Sequence, residues 1–167
     1  MVTSVVVFGS AQAQENPAKN YPDKPIHVIL GYAAGGANDL VARVFGSKLN
    51  EALGQPVLVE SKTGAAGMIA VNYVAKTKPD GYTLLFAASS MFTTNPVMFR
   101  NVGYSLSDFT PISTVVTFPF LLIVSASQPI QSLKELVERL KAKPEGANAS
   151  GAAGVHQLAF ELFKSQT

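Results

Sequence analysis

Ile26-His27-Val28-Ile29-Leu30-Gly31-Tyr32-Ala33-Ala34-Gly35-Gly36-Ala37-Asn38-Asp39 is the stretch on which the fold turns. A short, near-continuous apolar run ends at a glycine, the pattern of a strand buried on both faces. A loop of small residues follows. Then Leu40, Val41, Val44, Phe45, Leu49 and Leu53 recur at helical spacing. Asn38 or Asp39 is available to cap that helix, and Gly54 to close it. A strand that passes through a glycine-rich turn into a helix is the opening unit of an α/β fold.

The rhythm repeats downstream. Residues 56–60 read as a second strand, residues 63–67 as a turn, and residues 68–76 as a second helix. Pro79-Asp80-Gly81 is a strong turn signal, and residues 82–88 form a third apolar strand. Strands alternating with helices predict a parallel sheet with right-handed crossovers. Beyond Ala88 the pattern changes: residues 89–95 are small and polar, and Asn95-Pro96 is expected to break the chain. Residues 121–124 read as a further strand. Ser132-Leu133-Lys134-Glu135 is a capping box opening a helix with Leu133, Leu136, Val137 and Leu140 on one face, ended by residues 144–146. Residues 148–154 make a second glycine/alanine loop, and residues 155–164 again read as helix. Two α/β units thus each place a small-residue loop between a strand and a helix N-terminus.

Upstream, Val5-Val6-Val7-Phe8 is followed by Gly9-Ser10 and Ala11-Gln12-Ala13. The small residues at 11 and 13 fit signal-peptidase recognition, with cleavage before Gln14. The first basic residue is Lys19, so the expectation is a signal peptide lacking its basic start. The apolar run is too short to span a bilayer. Residues 15–25 are polar and proline-rich, an extended entry segment.

Composition removes several functions. The chain has 167 residues, 47% hydrophobic and 14% charged, enough for a real core and too apolar for a disordered chain. A net charge of +2 without any like-charge block gives no footprint for nucleic acid. The absence of cysteine removes disulfides, thiolate metal sites and a cysteine nucleophile. The two histidines, His27 and His156, stand far apart, which argues against a metal site.

The loop from Gly31 to Asp39 is the best site candidate. Small residues let a ligand approach the backbone, and free amides at a helix N-terminus favour an anion. A carboxylate and a phosphate suit it equally, and a plain strand-to-helix turn explains the same glycines. Nucleotide fingerprints fail: Ala37-Asn38 follow Gly36 where a P-loop needs Lys and then Ser or Thr, and G-x-G-x-x-G is absent. Glu60 lies where a ribose-binding acid would sit, without the glycine spacing to support it. Ser150, Gly151 and Gly154 in the second loop could face the same ligand from another lobe, forming a clamp. No G-x-S-x-G exists. Asp39 or His156 would have to serve an α/β enzyme acting on an anionic metabolite, the alternative reading; no catalytic residue is assigned.

Taken in order, the motifs resemble one family: the substrate-binding receptors of tripartite tricarboxylate transporters, or Bug-type receptors. The resemblance runs over residues 21–163. It includes Tyr21-Pro22-Asp23-Lys24-Pro25-Ile26, Ala34-Gly35-Gly36 with Asp39, Ala42-Arg43, Leu53-Gly54-Gln55-Pro56-Val57 and Pro79-Asp80-Gly81-Tyr82-Thr83-Leu84-Leu85. It continues through Asn95-Pro96, Asp108-Phe109, Pro111-Ile112, Leu158-Ala159 and Glu161-Leu162-Phe163.

The resemblance implies a two-lobed type II periplasmic-binding α/β fold with a central cleft, which this chain contains only in part. Residues 1–13 would be a signal-peptide remnant, 14–111 the first part of lobe one and 112–167 the first part of lobe two. It implies a periplasmic receptor that passes a small carboxylate to membrane transporter subunits, needs no cofactor or metal, and is monomeric at full length. Tyr32, Ala33, Ala34, Gly35, Gly36 and Asp39 would hold the carboxylate largely through backbone amides, with Ser89 facing the cleft. Ser150, Gly151, Gly154 and His156 would close over it. Tyr32 stands where the family usually has Phe. Two departures stand out. Alignment on Leu158-Ala159 puts the family's Gly-Ser/Thr pair on Ala153-Gly154 and its histidine on Gln157, one residue beyond His156. The larger departure is length, since family members run to about twice this chain. With the other half absent, apolar sheet edges and helix faces are expected to stay uncovered and the chain alone to be poorly soluble.

Overall fold

The computed structural model describes residues 20–143 and 155–167. The residues read as a signal peptide, the helix-ending residues 144–146 and the loop with Ser150, Gly151 and Gly154 lie outside them. Within the described residues three parallel strands, β1 (Ile26–Leu30), β2 (Val57–Ser61) and β3 (Thr83–Phe86), form a sheet of order β2-β1-β3. Val28 registers with Val59 on one side and Leu84 on the other. All three strands fall within two residues of their expected ends. In β1, Ile26, Val28, Ile29 and Leu30 are fully buried, as its central place requires.

Helix α1 (Ala37–Leu53) connects β1 to β2, and α2 (Met68–Ala75) connects β2 to β3. Gly54 closes α1 in the left-handed conformation, φ 67°, its N–H donating to Asn50 O. The start of α1 differs from expectation. Gly36 is the N-cap and no side chain caps the helix. Asp39 reaches back instead to the Gly35 amide.

The face that α1 buries also differs from its most apolar residues. Leu40 and Val44 stay exposed, while Asp39, Ala42 and Gly46 are buried. A Cβ on Gly46 would lie 3.0 Å from Val59 Cγ2. Small residues at helical spacing let the backbone of α1 settle close to β2, and a larger side chain there would hold it off. Val28, Leu30 and Ala42, with Val57, Val59, Leu84 and Phe86 around them, make this core.

After β3 the chain enters two short helices, α3 (Ser90–Thr93) and α4 (Asn95–Met98). Asn95-Pro96 thus opens a helical turn where a break was expected. Proline lacks only an N–H that a helix start leaves free, and its fixed φ suits the first turn. A second departure is larger: residues 121–124 form no strand, because no neighbouring backbone pairs with them among the described residues. Helix α5 (Leu133–Ala142) begins at Ser132, whose Oγ accepts the Glu135 N–H, and α6 (Val155–Gln166) completes the described elements. Glu135 turns its carboxylate to the Gln131 amide at 2.8 Å, one residue before the cap. No helix is long and apolar enough to cross a membrane among the described residues.

Candidate functional site

The sheet order carries the argument. From central β1 the chain crosses to β2 on one side, then to β3 on the other. The C-terminal ends of β1 and β3 therefore flank a topological switch point, where loops diverge and leave a crevice. The loop of residues 31–36 leaves β1 there, and residues 87–90 leave β3 beside it.

Close contact between backbones forms the floor of this end. Gly31 is buried, and a Cβ on it would lie 2.7 Å from Met91 Cε and 2.8 Å from Gly67 Cα. Only a residue without a side chain lets the β1 loop, the β2 loop and the chain after β3 meet there. Met91 is itself fully buried. Asn95, 2% exposed, donates from Nδ2 to the carbonyl of Ala66 at 3.0 Å, and Tyr104 OH donates to the Met91 carbonyl. The three strand-end loops are thereby tied into one body.

Along the β1 loop, Tyr32 is half-buried and Ala33, Ala34, Gly35 and Gly36 are exposed. Gly35 adopts φ 84°, which turns the chain into α1. Asp39 is 4% exposed, and its Oδ2 accepts the Gly35 N–H at 2.9 Å and Arg43 Nε at 3.0 Å. The Arg43 hydrogen bond, then the Gly35 amide, holds the Asp39 carboxyl below the usual carboxylate range. Asp39 Oδ1 is buried without a partner among the described residues. An ionised, pinned carboxylate of this kind shapes the loop and is poorly suited to act as a general base. Ser89 is exposed at the start of α3, one strand over from the loop. The structure thus gathers residues 31–39 and Ser89 at one end of the sheet.

His156 is the second residue of α6; its ring meets Phe120 edge-on at 4.7 Å between centroids, and its Nδ1 is buried without a partner among the described residues. Among the described residues no group of three or more His, Asp or Glu side chains could hold a metal ion. An open groove of about 330 Å³ at the opposite end of the sheet is lined by Lys24, His27, Asp80 and Tyr82. There Lys24 pairs with Asp80 at 3.3 Å, His27 Nδ1 lies 2.5 Å from Glu60 Oε1, and Lys78 also lines the groove.

Sequence reasoning passed over the β2 loop as a plain turn. Ala65 and Ala66 have φ of 47° and 53°, and Gly64 and Gly67 flank them at 123° and 85°. Such a left-handed run costs energy for alanine and is concentrated in functional loops. The signal was present: Gly64-Ala65-Ala66-Gly67 repeats, after another strand, the small-residue pattern of Ala33-Ala34-Gly35-Gly36. Met91 and Asn95 carried no such signal.

The α/β sheet, with its loops gathered at the strand ends, is that of a periplasmic binding protein. A family model described as tripartite tricarboxylate transporter family receptor matches residues 41–167, and the chain belongs to that family. Protein BugT of Bordetella pertussis is 37% identical over 170 residues, covering 99% of this chain and 52% of BugT. The chain spans about half the length of the curated relatives it matches. A solved periplasmic transporter superposes with a TM-score of 0.73 at 33% identity, over 87% of this chain and 50% of the other. R. palustris Rpa4515 with adipate gives 0.71 at 31% identity, over 75% and 42%. MatC of Rhodopseudomonas palustris with bound malate gives 0.62 at 29% identity, over 73% and 42%.

Proposed function

We propose that this chain forms part of a periplasmic receptor that captures a small carboxylate and hands it to the membrane subunits of a tripartite tricarboxylate-type transporter. The observation that carries the reading is the crevice at the C-terminal ends of β1 and β3, where the Gly31–Gly36 amides lead into the N-terminus of α1. The relatives solved with adipate and malate make a carboxylate the preferred anion over a phosphate.

In this reading Tyr32, Ala33, Ala34, Gly35 and Gly36 receive the carboxylate, Asp39 holds the loop in shape, and Ser89 adds a hydroxyl. Lobe one extends to residue 111. Residues 112–167 begin the opposing lobe, with Ser150, Gly151, Gly154 and His156 closing over the ligand.

Calorimetric titration of the 167-residue chain, alone and with the second half of BugT as a separate polypeptide, against adipate, malate and inorganic phosphate tests this. The expected result is carboxylate binding by the pair, with the acid recovered unchanged by NMR. Phosphate binding without carboxylate binding, or chemical conversion of the acid, would refute it.

A further inference from the structure

Pro96 has no N–H to offer the carbonyl of Phe92, and the helical chain is interrupted there between α3 and α4. At that break no backbone N–H donates to the Met91 carbonyl among the described residues. Met91 is fully buried, so its carbonyl needs a donor from elsewhere. The hydroxyl of Tyr104 supplies it.

That hydroxyl is delivered from a rigid support. Asn72 on α2 donates from Nδ2 to the Met68 carbonyl at 2.9 Å and to the Val102 carbonyl at 2.7 Å. Gly103, at φ 76°, turns the chain against the same side chain; a Cβ there would lie 2.6 Å from Asn72 Oδ1. The Phe92 ring meets Tyr104 edge-on at 5.8 Å between centroids and Phe109 at 5.2 Å. Tyr104 is thus anchored on both α2 and α3.

Met91 in turn sets two parts of the candidate site. Its side chain lies against Gly31, where the loop of residues 31–36 begins, and against Gly67, where a Cβ would be 3.2 Å from Met91 Sδ. Its N–H donates to the Ala88 carbonyl at 3.1 Å, and the Ser89 carbonyl accepts the N–H groups of Phe92 and Thr93 at 3.0 Å. In a close-packed contact of this kind, a shift of Met91 moves the base of the loop and Ser89 together.

We propose that Tyr104 is a positioning residue for the carboxylate site, acting through Met91 and not by touching the ligand. The proposal rests on the receptor reading above and adds to it a hydroxyl outside the loops that receive the acid. Tyr104→Phe keeps the ring contacts but leaves a buried carbonyl without its donor, so the turn of α3 shifts.

The test uses the isotope-labelled 167-residue chain paired with the second half of BugT. Amide resonances are recorded without ligand, and adipate and malate affinities are measured by calorimetry. Gly46→Ala, which crowds Val59 in the α1 core, is the control for lost stability. Tyr104→Phe should move the amide resonances of residues 31–36 and Ser89 and weaken carboxylate binding about tenfold. Gly46→Ala should do neither at a comparable loss of melting temperature. Asn72→Ser, which loosens the support and spares the hydroxyl, should move the same resonances by less. Unmoved loop resonances in Tyr104→Phe overturn the proposal, as do moved resonances with unchanged affinity, or equal effects in the Gly46 control. Should Tyr104→Phe not fold, unmoved loop resonances in Asn72→Ser overturn it alone. Moved resonances in a receptor whose wild type binds neither acid uphold the hold of Tyr104 on the loop and count against the proposed function.

Discussion

Asp39 Oδ2 accepts the amide hydrogen of Gly35 at 2.9 Å, so the first turn of α1 holds the loop that precedes it. Arg43, one turn further on, holds the same oxygen at 3.0 Å. The loop conformation therefore depends on a carboxylate that stays ionised. Its folded-state pKa lies below the ordinary value, so its contribution is fully present above about pH 4 and is lost as pH falls through the folded value. Hydrogen exchange at Gly35 should accelerate in that acid window relative to Asp39→Asn, which has no such titration.

Asp39→Ala should weaken carboxylate binding by about tenfold while the chain still folds, because the α1 core through Ala42 and Gly46 is untouched. Calorimetry and circular dichroism on the assembled receptor check both halves of this expectation. Unchanged affinity would remove the β1 loop from the site.

Gly31→Ala should destabilise the fold by about 1–3 kcal/mol. The added methyl meets Met91 Cε at 2.7 Å, which can move, and Gly67 Cα at 2.8 Å, which cannot. Shortening Met91 should therefore rescue only part of the loss in a denaturant melt.

Ala65→Gly and Ala66→Gly should each be neutral or stabilising by up to about 1 kcal/mol, against the usual penalty for added glycine. Their φ values of 47° and 53° are the reason. A loss of stability above 1 kcal/mol in either variant would contradict the left-handed assignment.

Asn95→Ala should cost about 1–3 kcal/mol, because the Ala66 carbonyl loses its donor and a buried side chain is removed. Exchange should rise at residues 64–67 more than in β1.

The strands were legible because each apolar run is punctuated by glycine or proline: Gly31 after β1, Pro56 before β2, Gly81 before β3. The parallel order followed from the helices between them. The packing face of α1 was not legible, since apolar periodicity points to Leu40 and Val44 while closeness to the sheet selects Ala42 and Gly46. Residues 121–124 read as a strand from composition, but a strand exists only with a partner backbone, which no local pattern supplies. In the site, Gly31, Gly35 and Asp39 were visible from glycine spacing and helix-start chemistry. The parts played by Gly67, Met91 and Asn95 arise from contacts across loops distant in sequence, and nothing local encodes them.

The meeting of Gly31, Gly67 and Met91 has an evolutionary corollary. These positions share one small volume, so none can change independently of the others. A side chain at position 31 would be admissible only in lineages that also re-route residue 67. Among homologues positions 31, 67 and 91 should therefore co-vary as a single heritable unit, while the exposed Ala33 and Ala34, which lie outside that volume, should vary independently of it.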